Sequence, residues 1–244
     1  MWNKPHLLNT LADLLMLIAA AALLAGAAVW LVRVPSLPVS QVVFVDSLQH
    51  TRRMEIEQIL PAALSGNFLS LNLDMVRGTL ESLPWVRKVE VRRVWPSRLE
   101  VRVEEHQAAG RWGKNELVGS FGEVFSASME EAEVDALPLL SGPKGTAQEV
   151  LKNYREFVTT FKTINEQPVQ VVLSPRLAWQ VKLSNGMRVD IGREQPKSPV
   201  SVRLQRFIDV YPEMVAKRPV KPDVVDLRYP NGFAMRVASE GKGK

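Results

Sequence analysis

The sequence predicts an α+β fold with a single transmembrane helix, then a compact β-α-α-β-β domain, and then a second, mostly antiparallel β-sheet domain with flanking helices. Three observations lead to this fold class. An unbroken apolar run lies near the start of the chain, the apolar residues then follow a helical period, and the period later changes to the alternation of a β-strand. At 244 residues the chain is long enough for two domains with cores of their own.

The apolar run extends from Leu14 to Val32, and about twenty such residues are needed to cross a hydrocarbon core as a helix. Trp30 and Arg33 at its far end are typical of a membrane interface. The alternative is a cleaved signal peptide, because Ala25–Ala28 is rich in small residues, but the run is longer than the apolar region of a usual signal. We expect a retained anchor, a short cytoplasmic N-terminus over residues 1–13, and an exported bulk.

Residues 37–106 form the first predicted domain. A β-rich run at Gln41–Val45 precedes two amphipathic helices, for which Thr51 and Asn72 are the expected N-caps. The apolar positions expected on the helix faces are Ile56, Ile59, Leu60 and Ala63 in the first helix and Val76, Leu80 and Leu83 in the second.

From Pro84 onward the apolar period is two, on both sides of a turn at Trp95-Pro96-Ser97. This pattern predicts an antiparallel hairpin with one buried and one solvated face. Six basic residues crowd the segment from Arg87 to Arg102, but glutamates alternate with them. We interpret the charges as a solvated face.

Residues 107–238 form the second predicted domain, and residues 239–244 a flexible tail. Its expected strands are Glu116–Val118, Glu123–Phe125, Val169–Leu173, Leu177–Leu183 and Met187–Ile191, and its expected helices are Ala147–Asn165 and Val200–Tyr211. The acidic residues Glu130, Glu131, Glu133 and Asp135 are expected in a loop. A final strand, an Asn-Gly turn and a last strand are predicted within Asp226–Val237.

Composition and motifs argue against an enzyme. The chain has no cysteine, which excludes disulfides, thiolate metal sites and a cysteine nucleophile. His6, His50 and His106 have no metal-ligand neighbours at usable spacing, and no nucleophile motif or phosphate-binding glycine loop is present. The formal charge of +5 would permit nucleic acid as a partner, but the arginines are scattered and no nucleic-acid motif occurs. We expect no catalytic residue, cofactor, metal or nucleic acid.

Several stretches match the motifs of a known protein family, in the same order along the chain. They are Leu83–Val86 followed by Val89–Pro96, then Leu99–Glu104, Arg111–Trp112, Leu137–Pro143 and Val225–Tyr229. Together with the single span, they resemble the FtsQ/DivIB family of bacterial cell-division proteins, from the span to about Val237. The first domain resembles a POTRA (polypeptide-transport-associated) domain of that family.

The resemblance implies a non-enzymatic scaffold of the division machinery that binds small coiled-coil division proteins of the FtsB and FtsL type through its second domain. It also implies an inner-membrane location at the division septum, with the N-terminus cytoplasmic and the bulk periplasmic. Carried over by position, the partner-binding residues are Arg176, Arg228, Tyr229, Gly232, Phe233, Ala234, Met235 and Val237. Val237 stands where the family pattern has an aromatic residue.

The last strand is also a candidate binding surface on physical grounds. Nothing after it in the chain covers its outer side, and an uncovered strand edge can accept a strand from another protein. The competing interpretation is that Tyr229 and Phe233 only fill the core. Two alternative functions are a POTRA-bearing translocation component, which usually has several POTRA copies, and a cell-wall-acting enzyme, for which no reactive set is present.

Overall fold

The computed structural model describes residues 5–33, 38–216, 222–229 and 232–237, which fall into two compact units, residues 1–105 and 106–244. In the first unit, helix α1 extends over Pro5–Arg33. It contains the one segment among the described residues that is long and apolar enough to cross a membrane, Asn9–Ala27, with a mean hydropathy of 2.1. The predicted span, Leu14 to Val32, lies within α1.

The remainder of the first unit has the predicted β-α-α-β-β order. Its elements are β1 (Gln41–Phe44), α2 (Arg53–Ala63), α3 (Leu73–Glu81), β2 (Val86–Val94) and β3 (Arg98–Glu105). The strand order is β1-β3-β2, with β1 parallel and β2 antiparallel to β3. Val89, Leu99 and Val101 on the sheet are buried against the apolar faces of the two helices, so the alternating pattern correctly identified the inner face.

The two predicted helix caps have different outcomes. Asn72 does cap α3, because its Oδ1 accepts the N–H groups of Asp74 and Met75 at 3.0 and 3.2 Å. Thr51 does not cap α2, which starts at Arg53 after an extended Arg52 without a side-chain cap bond. The reason lies in the preceding loop, where the carboxylate of Glu105 accepts the backbone N–H of Thr51 at 2.7 Å.

The second unit contains the remaining nine strands and three helices of the described residues. The strands are β4 (Ala108–Trp112), β5 (Glu116–Gly119), β6 (Val124–Phe125), β7 (Leu139–Ser141), β8 (Pro168–Leu173), β9 (Ala178–Leu183), β10 (Arg188–Arg193), β11 (Val224–Asp226) and β12 (Ala234–Arg236). The helices are α4 (Glu131–Ala136), α5 (Ala147–Lys162) and α6 (Val200–Ala216).

All nine of these described strands form one sheet, in the order β12-β11-β10-β9-β8-β7-β4-β5-β6. Five neighbouring pairs are antiparallel, and β10–β11, β4–β7 and β7–β8 are parallel. Helix α5 lies against β7 and β8, and α6 lies against β10 and touches α5. Phe157 of α5 meets Trp179 of β9 edge to face at 5.8 Å, and Phe207 of α6 is fully buried. The α+β prediction with flanking helices is confirmed.

Two predictions for this unit need correction. The acidic cluster expected in a loop lies partly in the short helix α4, where Glu131 and Glu133 occupy the first turn and favour a helix N-terminus. Helix α6 continues past Tyr211 and Pro212 to Ala216. It continues because Met214 keeps the helical spacing and is buried.

A buried polar cluster of Glu166, Asn185 and Tyr211 connects α6 to the sheet. The carboxylate of Glu166, just before β8, accepts the hydroxyl proton of Tyr211 at 2.9 Å and an amide N–H of Asn185 at 2.6 Å. Burial and the hydrogen bond to Glu166 raise the pKa of Tyr211 to about 12. This cluster satisfies a carboxylate that would otherwise be costly to bury.

Candidate partner-binding edge

Strand β12 forms one edge of the nine-stranded sheet. It pairs with β11 in antiparallel register, with Val224 opposite Arg236 and Asp226 opposite Ala234. On its other side no strand from the described residues pairs with it. Ala234 and Arg236 are exposed, whereas Met235 between them packs partly against the core. The strand therefore has an open backbone side and alternating side chains, as strand addition requires.

The connection between β11 and β12 is longer than the predicted tight turn. Strand β11 ends at Asp226, and Leu227 follows it into the core, where its N–H donates to Asp190 O at 2.9 Å. The Asp226 side chain then accepts the N–H of Arg228 at 3.0 Å, which turns the chain out of the ladder. Asn231 of the predicted Asn-Gly turn lies outside the described residues, and Gly232 is half-buried.

Arg228 is exposed but its side chain is held in place. Its Nε donates to Asp226 Oδ1 at 2.8 Å and its Nη2 donates to Asp226 Oδ2 at 2.6 Å. These hydrogen bonds lower the pKa of Asp226 and raise that of Arg228, since they favour both charged forms. The remaining nitrogen, Nη1, has no hydrogen bond within the described part of the chain. Arg228 thus presents a cation that the ion pair holds in a fixed orientation.

Tyr229 and Phe233, which the sequence treats alike, have different surroundings. Tyr229 is 55% exposed, so it does not fill the core. Phe233 is half-buried and meets Phe207 of α6 edge to face, with 5.9 Å between ring centroids. Phe233 therefore anchors the start of β12 on the core, and Tyr229 is the aromatic residue available to a partner. Val237, just after β12, is half-buried.

Arg176 lies in the β8–β9 turn, at the same end of the sheet. The register places Ala178 opposite Arg193, and β10 runs parallel to β11, so the turn and residues 227–229 lie at one end. Leu177 beside it has a φ of +57° and is also 55% exposed, a feature that the sequence did not reveal. We call Arg176, Leu177, Arg228, Tyr229 and β12 the edge site.

Sequence reasoning also missed Arg203, which lies beneath the edge site. Its side chain is only 2% exposed, and its Nη2 donates to the carbonyl of Arg193. Its Nε and Nη1 have no hydrogen-bond partner among the described residues. Burial lowers the pKa of Arg203, and the nearby carboxylate of Glu194 opposes this shift. The available signal was its position three residues after Val200 and four before Phe207, on the apolar stripe of α6.

The described residues contain no group of three or more His, Cys, Asp or Glu side chains placed to hold a metal ion. The edge site instead combines several arginine side chains, an exposed tyrosine and an open strand. Aromatic and arginine side chains of this kind are typical of protein–protein contacts.

Comparison with known proteins gives concordant results over both units. Residues 37–106 match the family model for the FtsQ-type POTRA domain, and residues 110–228 match that for the C-terminal region of cell division protein FtsQ/DivIB. A Burkholderia pseudomallei protein named cell division protein FtsQ is 39% identical over 98% of this chain and 95% of its own length. Proteins of the same name from Bordetella pertussis and Escherichia coli are 35% and 31% identical, over 98% and 84% of this chain and 93% and 75% of their own lengths.

Proposed function

Since this chain belongs to the FtsQ/DivIB family of cell-division proteins, we propose that it is a non-enzymatic, membrane-anchored scaffold that binds small coiled-coil division proteins of the FtsB and FtsL type. The partner contributes a strand that adds to β12. By holding these proteins together, the scaffold helps to assemble the septum.

The observation that supports this proposal most strongly is the open edge of β12 beside an exposed tyrosine. Strand addition gains affinity from main-chain hydrogen bonds, and the flanking side chains select the sequence that binds. Because β12 has only three residues, backbone pairing alone offers few bonds. Side-chain anchors next to the strand must therefore contribute, and Tyr229 is placed to be one.

The charges at the edge site favour an acidic partner segment. Arg176 and Arg228 lie at one end of the sheet, and the ion pair with Asp226 holds the guanidinium of Arg228 in a fixed orientation. A guanidinium that is already positioned loses less conformational freedom when a carboxylate binds to it. A partner strand with a glutamate or aspartate near its end would complement this arrangement.

Helix α1 supports the proposed cellular arrangement. Its position near the start of the chain and its apolar composition fit a single-pass anchor in the inner membrane. In this proposal the N-terminus is cytoplasmic, the two folded units are periplasmic, and the protein gathers at the division septum.

The test is co-purification of the full-length chain with its FtsB-type partner from membranes. Tyr229→Glu should abolish co-purification, because it places a charge at the contact and removes the aromatic anchor. Phe121→Glu is the matched control, since Phe121 is 63% exposed and lies in the β5–β6 turn at the opposite end of the strand order. Equal retention of the partner by both variants, or loss only when Tyr229→Glu unfolds the chain, would refute the proposal. Phe233 is less suitable because it also packs on Phe207.

A further inference from the structure

One exposed aromatic residue of the first unit has no role in partner binding at the edge site. Trp95, in the β2–β3 turn, is 70% exposed and meets the buried Phe68 edge to face, at 5.7 Å between ring centroids. A single exposed apolar side chain is common on protein surfaces, so the meaning of Trp95 depends on the residues around it. Its neighbours show which surface this is.

Three segments come together around Trp95. Arg93 donates from Nε to Phe68 O at 2.8 Å and from Nη2 to Leu71 O at 2.5 Å, which fixes the loop before α3 against the hairpin. The N–H of Ser40 donates to Ser97 O at 2.8 Å, which fixes the chain entering β1. We call residues 38–40, 65–71 and 93–98 the hairpin tip.

The hairpin tip is positively charged, and the rest of the hairpin is not. Further along the strands each cation has an acidic partner, with Arg92 paired to Glu100 at 2.7 Å and Lys88 to Glu90 at 2.8 Å. The three segments of the tip contain Arg93 and Arg98 and no aspartate or glutamate. Arg98 is exposed and forms no ion pair within the described residues. The tip therefore combines an indole with uncompensated positive charge.

The chain itself brings the hairpin tip close to the membrane. Helix α1 ends at Arg33, and Ser40 is already bonded to the tip. The chain from Arg33 to Ser40 can extend over at most roughly 25 Å. Since β1 and β3 both start at the tip and run away from it, the chain that comes from α1 enters the folded part of the first unit at this end.

From these observations we propose that the hairpin tip binds the surface of the membrane in which α1 is anchored. Trp95 lies at the level of the lipid headgroups, where indole is favoured, and the exposed guanidinium of Arg98 contacts an anionic headgroup, while Arg93 adds positive charge from its place in the tip. The contact fixes the orientation of the first unit relative to the bilayer. The inference requires that α1 is a retained span, and it is independent of the partner bound at the edge site.

The test uses the natural absence of cysteine. Ser97→Cys in the full-length chain carries an environment-sensitive fluorophore at the tip, and Ser47→Cys carries it in the exposed loop after β1, at the opposite end of the unit. Both are reconstituted in nanodiscs of phosphatidylcholine with phosphatidylglycerol that contain lipids with a nitroxide on the headgroup. We expect strong quenching at position 97 and little at position 47.

Variants then separate binding from mere proximity. Trp95→Ala and Arg98→Gln should each reduce the quenching at position 97, and so should replacing phosphatidylglycerol with phosphatidylcholine. Arg53→Gln, an equal charge change on α2, should leave it unchanged. Trp95→Ala loses the edge contact with Phe68 but should remain folded, as judged by circular dichroism, and should still co-purify with the division partner.

Three outcomes would overturn the inference. They are equal quenching at positions 97 and 47, quenching at 97 that Trp95→Ala does not reduce, and a fluorophore at 97 that is shielded from water without being quenched. The last result would identify a second protein, rather than lipid, as the occupant of the tip.

Discussion

Gly192 of β10 lies directly against the side chain of Arg228. A Cβ placed on Gly192 would be 2.9 Å from Cγ of Arg228, closer than such atoms can approach, and 3.6 Å from Nη1 of Arg203. The φ of Gly192 is +87°, at a point where the register between β9 and β10 shifts. Because Gly192 has no side chain, the aliphatic part of the Arg228 side chain can pass over this bulge at the end of the sheet and reach Asp226.

The first prediction concerns this close approach. Gly192→Ala should destabilise the chain by about 1–3 kcal/mol through backbone strain and should also weaken partner binding, because Arg228 must move. Gly186→Ala is the matched control, since Gly186 has a φ of +88° but open space where a Cβ would lie. Gly186→Ala should therefore lower the stability through backbone strain but leave partner binding unchanged. Thermal unfolding and co-purification of both variants test this, and equal binding by the two would contradict it.

The second prediction concerns the turn that ends β11. Asp226→Asn retains an oxygen that accepts the N–H of Arg228 but loses the ion pair, whereas Asp226→Ala loses both. Cleavage after Arg228 by an arginine-specific protease should therefore be fastest in Asp226→Ala and intermediate in Asp226→Asn. If the two variants were cleaved at the same rate, the backbone hydrogen bond would not control the turn.

The third prediction concerns the buried carboxylate of Glu166. Tyr211→Phe removes a donor to it, and we expect a loss of about 1–3 kcal/mol in unfolding free energy. Tyr154→Phe is the control, because the half-buried hydroxyl of Tyr154 has no hydrogen bond in the described structure and its loss should cost much less. Similar losses for the two variants would show that the cluster does not stabilise the fold.

The same tyrosine gives a pH dependence of known sign. Burial, followed by the hydrogen bond to Glu166, raises the pKa of Tyr211 from 10.0 to about 12. Its contribution to stability is therefore complete below pH 10 and is lost as the pH rises to about 12. The stability difference between the natural chain and Tyr211→Phe should narrow over this range. A constant difference across it would contradict the assigned pKa.

The fourth prediction concerns the loop before α2. Burial disfavours the ionised form of Glu105, but hydrogen bonds from Thr51, Gln49 and His50 outweigh it and hold its pKa below 4.5. This stabilisation is present above pH 4.5 and is lost as the pH falls through the lowered pKa.

Glu105→Gln should therefore cost about 1–2 kcal/mol at neutral pH and remove this part of the acid dependence. Glu104→Gln, which changes an exposed partner of Arg87, should have a smaller effect. Acid unfolding curves of both variants provide the measurement. The assignment fails if Glu104→Gln is the more destabilising of the two.

Most of the fold follows from periodicity, but the details of the edge site do not. The alternation of apolar and polar residues correctly predicted that Val89, Leu99 and Val101 lie on the inner face of the sheet, because a strand with one solvated face has this pattern. The end of β11 depends on one hydrogen bond that the Asp226 carboxylate accepts from the N–H of Arg228, which competes with the ladder and leaves no periodic signal. The burial of Arg203 likewise depends on the carbonyl of Arg193, which only the folded sheet brings near.

The aromatic residues show the same limit. The sequence could identify Tyr229 and Phe233 as a pair of candidates, but it could not separate them, because both lie in a short irregular segment. Tertiary packing distinguishes the two residues, because the ring of Phe233 contacts the ring of Phe207 in α6, whereas Tyr229 is exposed.

Amide hydrogen exchange on the full-length chain, with and without its FtsB-type partner, tests strand addition most directly. The proposal predicts that partner binding protects the amides of β12 and the adjoining residue Val237, whereas β6 at the opposite edge is unchanged. Protection that appears at β6 or on the helices, with β12 exchanging as fast as before, would contradict the central claim.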